Sequence, residues 1–318
     1  MPSHKELRLG IIGLNEGNGH PFSYSAVFNG YDPDALRTRC PFALIRDYLP
    51  REHRNEVFLE GAKVTHLWTQ DRALSADVAA VAKIPHIVNR LEDMAGEVDA
   101  VILARDDPER HFAMAKPFLE RGLPIFIDKQ IAASRDDTAQ ILALAGPSYP
   151  VMAGSAARYT RDLARARDAL LGRKVRSIHG MSRVNWMRYG HHLFEPIACL
   201  FGLAIDRVRS LSDKSGHDIV QINYESGPNV ILEFVHDIHL PVAFTCFSED
   251  AEPYTVPFID YFHAFRAMLA DFVELVRSGR PPFPREEMIA IANVVLAGDM
   301  SKQRGGIEID PKRLLSML

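Results

Sequence analysis

Residues 98–104 form a short apolar run bounded by polar positions, the pattern of a strand buried on both faces. Asp107-Pro108 then reads as a helix start, with Asp as N-cap and proline at the first helical position, where its missing N–H costs nothing. Phe112, Ala115 and Leu119 recur at helical spacing, Pro117 should kink the helix, and Gly122 stops it. Residues 123–127 make a second apolar run that ends on Asp128-Lys129-Gln130. The three segments predict a βαβ unit. A parallel sheet binds its ligands beyond the carboxyl ends of its strands, so Arg105-Asp106 and Asp128-Lys129 are expected to face one crevice.

The same alternation runs through the N-terminal half. Residues 7–14 predict a strand, 63–69 a second, 73–83 a helix, 85–88 a short strand and 90–96 a short helix. Ser134 with Asp137 predicts a capping-box start for a helix to about 144, and 150–154 a sixth strand. Between the first helix and the second strand, about residues 30–62, lies a charged, proline-containing insertion. It reads either as a surface excursion or as a flap over a cofactor or a subunit contact. The reading is a Rossmann-type doubly wound parallel sheet over residues 1–154.

After that the pattern changes. A helix over 161–171 leads to a long alternating strand over 175–186, then a short helix over 190–202 that carries His191 and His192 at its start. Strands over 208–211, 218–225, 229–236 and 242–248 follow, the middle two joined by a Ser226-Gly227-Pro228 turn as an antiparallel hairpin. Phe262, Phe265, Leu269, Phe272 and Val276 form a helical stripe, ended by Gly279 and Pro281-Pro282, and residues 286–299 form another helix. Residues 155–318 therefore predict an α+β domain, a mostly antiparallel sheet covered by helices on one face, for substrate binding and oligomerisation.

The first strand is followed by a glycine-rich turn containing Gly13, Asn15, Gly17 and Asn18. A strand, such a turn and a helix point to a dinucleotide site, because backbone N–H groups at a helix start hold a pyrophosphate. Counted from Gly13, the second and third positions of the glycine fingerprint are Asn15 and Asn18, whose side chains would crowd a pyrophosphate. The turn supports the fold more than a bound cofactor. Beyond the second strand stand Asp71, of the type that binds an adenosine ribose, and Arg72, of the type that neutralises a 2′-phosphate; NAD and NADP both stay open.

Length and composition bound the rest. A chain of 318 residues favours two domains, and a net charge of −4 gives no support for nucleic acid or a membrane surface as partner. The three cysteines, Cys40, Cys199 and Cys246, have no metal spacing and read as free thiols of a cytoplasmic protein. The first seven residues are too polar for a signal peptide, and no apolar run reaches membrane-spanning length. Adjacent helical histidines point roughly 100° apart, so His191 and His192 do not predict a shared metal, and none is expected. No serine or cysteine stands in a hydrolase pattern.

Several separated motifs resemble, in order, those of the Gfo/Idh/MocA family of NAD(P)-dependent oxidoreductases. They are Ala104-Arg105-Asp106, His111, Asp128-Lys129-Gln130, Arg158, Gly190-His191-His192 with Glu195, Leu200-Phe201-Gly202, and the segment from Asp271 to Val295. The resemblance implies hydride transfer between a nicotinamide and a secondary alcohol of a sugar, nucleotide-sugar or polyol. It implies Lys129 as the cation that stabilises the alkoxide, His192 as acid/base, and Asp128 as a partner orienting Lys129. Ala104, Arg105, Asp128 and Lys129 would contact the cofactor; Arg158, Arg188, Tyr189, His191 and Glu195 would surround the substrate, with Glu195 either orienting His192 or capping its helix. A homodimer or homotetramer is expected. Arg188 stands where the family has an aspartate, and Gln130 where it has proline. These departures leave two alternatives: a catalytically silent binding or regulatory relative, or one using transient redox for elimination or hydrolysis.

Overall fold

The computed structural model describes residues 5–53, 58–146, 150–212, 217–236 and 242–314. By its internal contacts the chain forms two compact units. The first comprises residues 1–132, 140–153 and 261–282, and the second 133–139, 154–260 and 283–318.

The first unit is built on β1 (Leu7–Ile12), α1 (His20–Asn29), α2 (Pro33–Arg39), α3 (Ala43–His53), β2 (Ala62–Trp68), α4 (Arg72–Ala82), β3 (His86–Ile87), β4 (Ala100–Leu103), α5 (His111–Leu119), β5 (Ile125–Asp128), α6 (Arg135–Ala145) and β6 (Val151–Gly154). The strands form one sheet in the order β3-β2-β1-β4-β5-β6, parallel at β3–β2, β2–β1, β1–β4 and β4–β5. Every residue of β4, β5 and β6 is buried, as their unbroken apolar runs require. Gly13 lets the sheet approach α1: a Cβ there would lie 2.1 Å from Cγ of Pro21.

Three local expectations are corrected. The segment after Asp107 is a single 3-10 turn, Pro108–Arg110, before α5 begins at His111, and Asp107 caps nothing. Its carboxylate is held by Arg105 instead. The insertion is no surface excursion: α2 packs on α4 and α3, α3 packs on α1, and Leu36, Ile45, Tyr48 and Leu49 are buried. The aromatic stripe of α9 (Tyr261–Ser278) does not cover the C-terminal sheet; it packs on α1 and α3 within the first unit. Phe265 meets the rings of Tyr24 and Tyr48, and Phe272 that of Phe126.

The second unit contains α7 (Arg161–Leu170), β7 (Val175–Arg183), α8 (Trp186–Phe201), β8 (Ile205–Ser210), β9 (Asp218–Tyr224), β10 (Asn229–Val235), β11 (Ala243–Ser248), β12 (Tyr254–Pro257) and α10 (Arg285–Gln303). Its sheet runs β12-β11-β7-β10-β9-β8 and is antiparallel except where β7 and β10 pair parallel. The alternating pattern near 175–186 ends as a strand at Arg183, because Asn185 caps α8 by accepting from the Arg188 N–H. Trp186 fixes the helical layer: its indole N–H donates to the Val295 carbonyl at 2.7 Å, and its backbone N–H to Asp218 at 2.9 Å.

Phe126 is fully buried between Tyr24 and Phe272. Phe126→Ala should lower unfolding stability by about 3–5 kcal/mol, read from the urea midpoint.

Candidate active site

The ends of β1, β4 and β5 converge on a buried charged cluster in the first unit. Lys129, one residue past β5, adopts φ +69°, a left-handed conformation costly for a residue with a Cβ and held only by strong surroundings. Its ammonium lies 3.0 Å from Oδ2 of Asp106 and 3.5 Å from Oδ2 of Asp128, and it is only 4% exposed. Asp106 also accepts from the Asn15 amide, while its own N–H donates to Asn15 Oδ1 at 3.1 Å. Burial opposes ionisation of Asp106, but Lys129 and the Asn15 amide overcome it and hold the carboxyl below its ordinary range.

Asp128 is more heavily used than Asp106. Its Oδ1 accepts from the Tyr24 hydroxyl at 3.1 Å, and its Oδ2 from Asn18 Nδ2 at 3.3 Å and His20 Nδ1 at 2.6 Å. Burial, then the negative field of Asp128, pushes the Tyr24 phenol well above its usual value, so it stays a donor. Arg105 grips Asp107 through Nε at 2.7 Å and a terminal nitrogen at 2.5 Å. Its other terminal nitrogen donates to the Leu14 carbonyl and to Gln70. The wholly buried His111 ring lies between the two strand ends, with Nδ1 3.1 Å from the Gln130 carbonyl and Nε2 3.2 Å from that of Arg105; a neutral ring donates to one of the two. Asp106, and not Asp128 alone, is thus the nearer partner of Lys129.

The structure places the remaining first-unit candidates as follows. Ala104 continues β4, its N–H donating to the Ile12 carbonyl. Asp71 caps α4, accepting from the N–H groups of Ala73 and Leu74, and Arg72 donates to Asn89. The start of α1 is already engaged: the His20 N–H donates to Asn18, Pro21 has none, and Phe22 donates to Gly19. A Cβ at Gly19 would meet Phe42 and Ile45 of the insertion at 2.6 and 2.5 Å. The tip of the turn is different. Among the described residues the N–H groups of Glu16 and Gly17 have no backbone partner, and nothing lies within 4 Å of a Cβ built on Gly17. The open backbone of this turn is therefore at its tip and not at the start of α1.

In the second unit His192 is held by Ser155, whose Oγ lies 2.6 Å from Nδ1 and accepts from the Ala157 N–H at 3.1 Å. Glu195 supports His192 through Ser155, and the cap of α8 is Asn185. Oε2 of Glu195 accepts from the Ser155 N–H at 2.7 Å and lies 3.4 Å from Nδ1 of His191. Arg158 packs over Phe283, its Nε 3.4 Å from Glu195, and it donates to Glu287 and to Cys199 Sγ. Burial opposes its charge, but Glu195 and the other partners keep it firmly protonated. Tyr189 meets the His192 ring edge-on at 5.1 Å. Arg188 engages Asn185 through its backbone N–H. A cavity of about 10 Å³, room for one water, opens beside His192, Thr160 and Phe258.

Sequence reasoning assigned no role to Tyr24 or Ser155, and weighed His20 only as a further ligand of a metal site that it did not favour. His20 and Tyr24 are one turn apart on α1, a pairing visible from their spacing, and Ser155 directly follows the apolar run of β6. Among the described residues, no three His, Cys, Asp or Glu side chains gather as a metal site, and no helix is long and apolar enough to cross a membrane.

Residues 46–148 match the Gfo/Idh/MocA family, described as an oxidoreductase family with an NAD-binding Rossmann fold. The match lies on β2 to β5 of the first unit, whose strand order β3-β2-β1-β4-β5-β6 is that of a Rossmann fold. Myo-inositol 2-dehydrogenase from Lactobacillus plantarum superposes with TM-score 0.70 and 16% identity over 96% of this chain and 99% of that one. Myo-inositol dehydrogenase from Lactobacillus casei, solved with NAD(H) and myo-inositol, gives 0.70 and 12% over 96% and 97%. GenD2 from gentamicin A biosynthesis, solved with NAD, gives 0.69 and 14% over 96% and 97%. At these identities the superpositions establish the fold. No curated relative matches by sequence.

Burial lowers the His111 imidazole below its ordinary value, so the folded protein favours the neutral ring. Its stabilisation is complete above the unfolded value of about 6.5 and is lost as pH falls through the lower folded value. Urea midpoints should therefore drop from pH 7 downward, with a shallower slope in His111→Gln.

Proposed function

We propose that this protein is an NAD(P)-linked dehydrogenase that interconverts a secondary alcohol and a ketone on a sugar or polyol. The observation that carries this reading is the buried Lys129 ammonium, fixed at the end of β5 by carboxylates from two strands. A cation so held, desolvated and immobile, stabilises an alkoxide far better than a solvated lysine does. The nicotinamide, when bound, supplies the hydride acceptor and donor. Glu16 and Gly17 N–H groups would hold its phosphates, and the strand-end residues Ala104, Arg105, Asp128 and Lys129 would border it.

His192 is the acid–base group in this reading. The Ser155 hydroxyl can accept from Nδ1–H or donate to a bare Nδ1, so it supports the ring in either protonation state. Arg158 and Glu195 act behind it: Glu195 holds the Ser155 backbone, and Arg158 neutralises Glu195. Substrates of the inositol type fit the class because the solved relatives include inositol dehydrogenases. A non-catalytic relative is a second reading, favoured by the occupied start of α1 and by Arg188 in place of an aspartate.

Thermal shift with NAD⁺, NADP⁺ and their reduced forms tests the first step. One form at 100 times its Kd should add about 2.7 kcal/mol and raise Tm by several degrees. Turnover on a panel of inositols and aldoses should then fall at least about 100-fold in Lys129→Ala and in His192→Ala, with unchanged far-UV circular dichroism. No shift with any form overturns the dehydrogenase reading; a shift without turnover on any alcohol establishes the second.

A further inference from the structure

The family pattern has a lysine, an aspartate and a histidine, and at the aspartate this chain carries Arg188. The first unit nevertheless gathers those three residue types around the same lysine, with the aspartate and the histidine drawn from other positions. Lys129 Nζ and His20 Nδ1 both meet Oδ2 of Asp128, at 3.5 and 2.6 Å. The His20 ring is pinned on two further sides, stacked on Tyr24 at 4.5 Å and against the edge of Phe265 at 5.2 Å. Tyr24 returns to the same carboxylate through its hydroxyl. Ring stacking, the Asp128 bond and the Asn18 bond to the His20 N–H fix the side chain's position from three directions.

The chemistry of that arrangement is specific. A carboxylate accepts only, so Asp128 keeps the proton of a neutral His20 on Nδ1 and leaves the Nε2 lone pair unprotonated. Nε2 has no partner among the described residues, and the side chain is 18% exposed, against 2% for Asp128 and 5% for Lys129. The ring is oriented through one nitrogen and left open at the other.

We propose that His20 is a second acid–base group of this site, working with Asp128 and Lys129 as one constellation contributed entirely by the first unit. The inference rests on the dehydrogenase reading for its substrate class. In alcohol oxidation the hydroxyl O–H bond breaks and an Nε2–H bond forms. The resulting imidazolium is matched by Asp128, and the alkoxide by the Lys129 ammonium. An oxidised nicotinamide, when bound, would supply the acceptor for the carbinol hydride, which balances the conversion to the ketone. In reduction His20 returns the proton.

The test begins with the protein free of ligand. Long-range ¹H–¹⁵N spectra of labelled protein, with the His20 signals assigned by their loss in His20→Ala and recorded at a pH where the ring is neutral, should show the Nδ1–H tautomer. Asp128→Asn should shift that population toward Nε2–H. A His20 ring that is Nε2–H in the unaltered protein overturns the proposal whatever the fate of the dehydrogenase reading. With the cofactor and alcohol that give turnover, His20→Ala should lose about 100-fold in kcat, and free imidazole should restore about tenfold of it. A variant within twofold of the unaltered enzyme, or a deficit that imidazole leaves untouched, overturns the proposal. Failure of every alcohol to react would instead remove the dehydrogenase reading and leave the tautomer to decide the structural claim.

Discussion

The charge on Lys129 is the constraint around which the first unit is built. An ammonium taken out of water is several kcal/mol less stable unless carboxylates and hydrogen bonds replace its hydration. Here Asp106 and Asp128 come from neighbouring strands, about 4.8 Å apart in a sheet, so the β4–β5 pairing itself brings both within reach of one nitrogen. Each carboxylate is then braced by polar groups of the turn after β1 and of the first residue of α1: Asn15 on Asp106, Asn18 and His20 on Asp128. Removing either aspartate would leave a buried cation short of its compensation, which ties the fold of the turn to the state of one amine.

This bracing explains why the glycine fingerprint is broken. In the standard turn, glycines leave the backbone bare for a pyrophosphate. In this chain the two asparagines use the same turn to reach the strand-end carboxylates, and the start of α1 closes on Asn18 and Gly19. The open backbone moves outward to Glu16 and Gly17. The second unit solves a similar problem with different residues: Glu195, buried to 1% exposure, is offset by Arg158 and spends one oxygen on the Ser155 backbone.

The parallel sheet was legible because buried strands announce themselves as unbroken apolar runs, and 98–104 and 123–127 are such runs. The strand-end position of Arg105, Asp106, Asp128 and Lys129 followed from topology alone. Their partners did not, since nothing local says that Asp107 will turn back to Arg105 or that Lys129 will choose Asp106. The insertion was misjudged because charge and proline at 30–62 mask a few buried side chains, Leu36, Tyr48 and Leu49 among them, each supported from distant sequence. The stripe of α9 showed that the helix had an apolar face. Periodicity carries no information about which sheet or helix that face meets, and here the partners lie more than 200 residues earlier.

That return of α9 has a consequence for biosynthesis. The first unit is discontinuous: Phe265 and Phe272, which cover Tyr24, Tyr48 and Phe126, are translated only after the whole mixed sheet. A ribosome that has finished the sixth parallel strand has made a nucleotide-fold layer with one aromatic flank bare, and it stays bare for roughly the next hundred residues of elongation, at about 5–20 residues per second. The nascent chain therefore passes through several seconds in which that flank must be shielded by other means, and a fragment cut at the end of β6 would carry the same bare surface permanently.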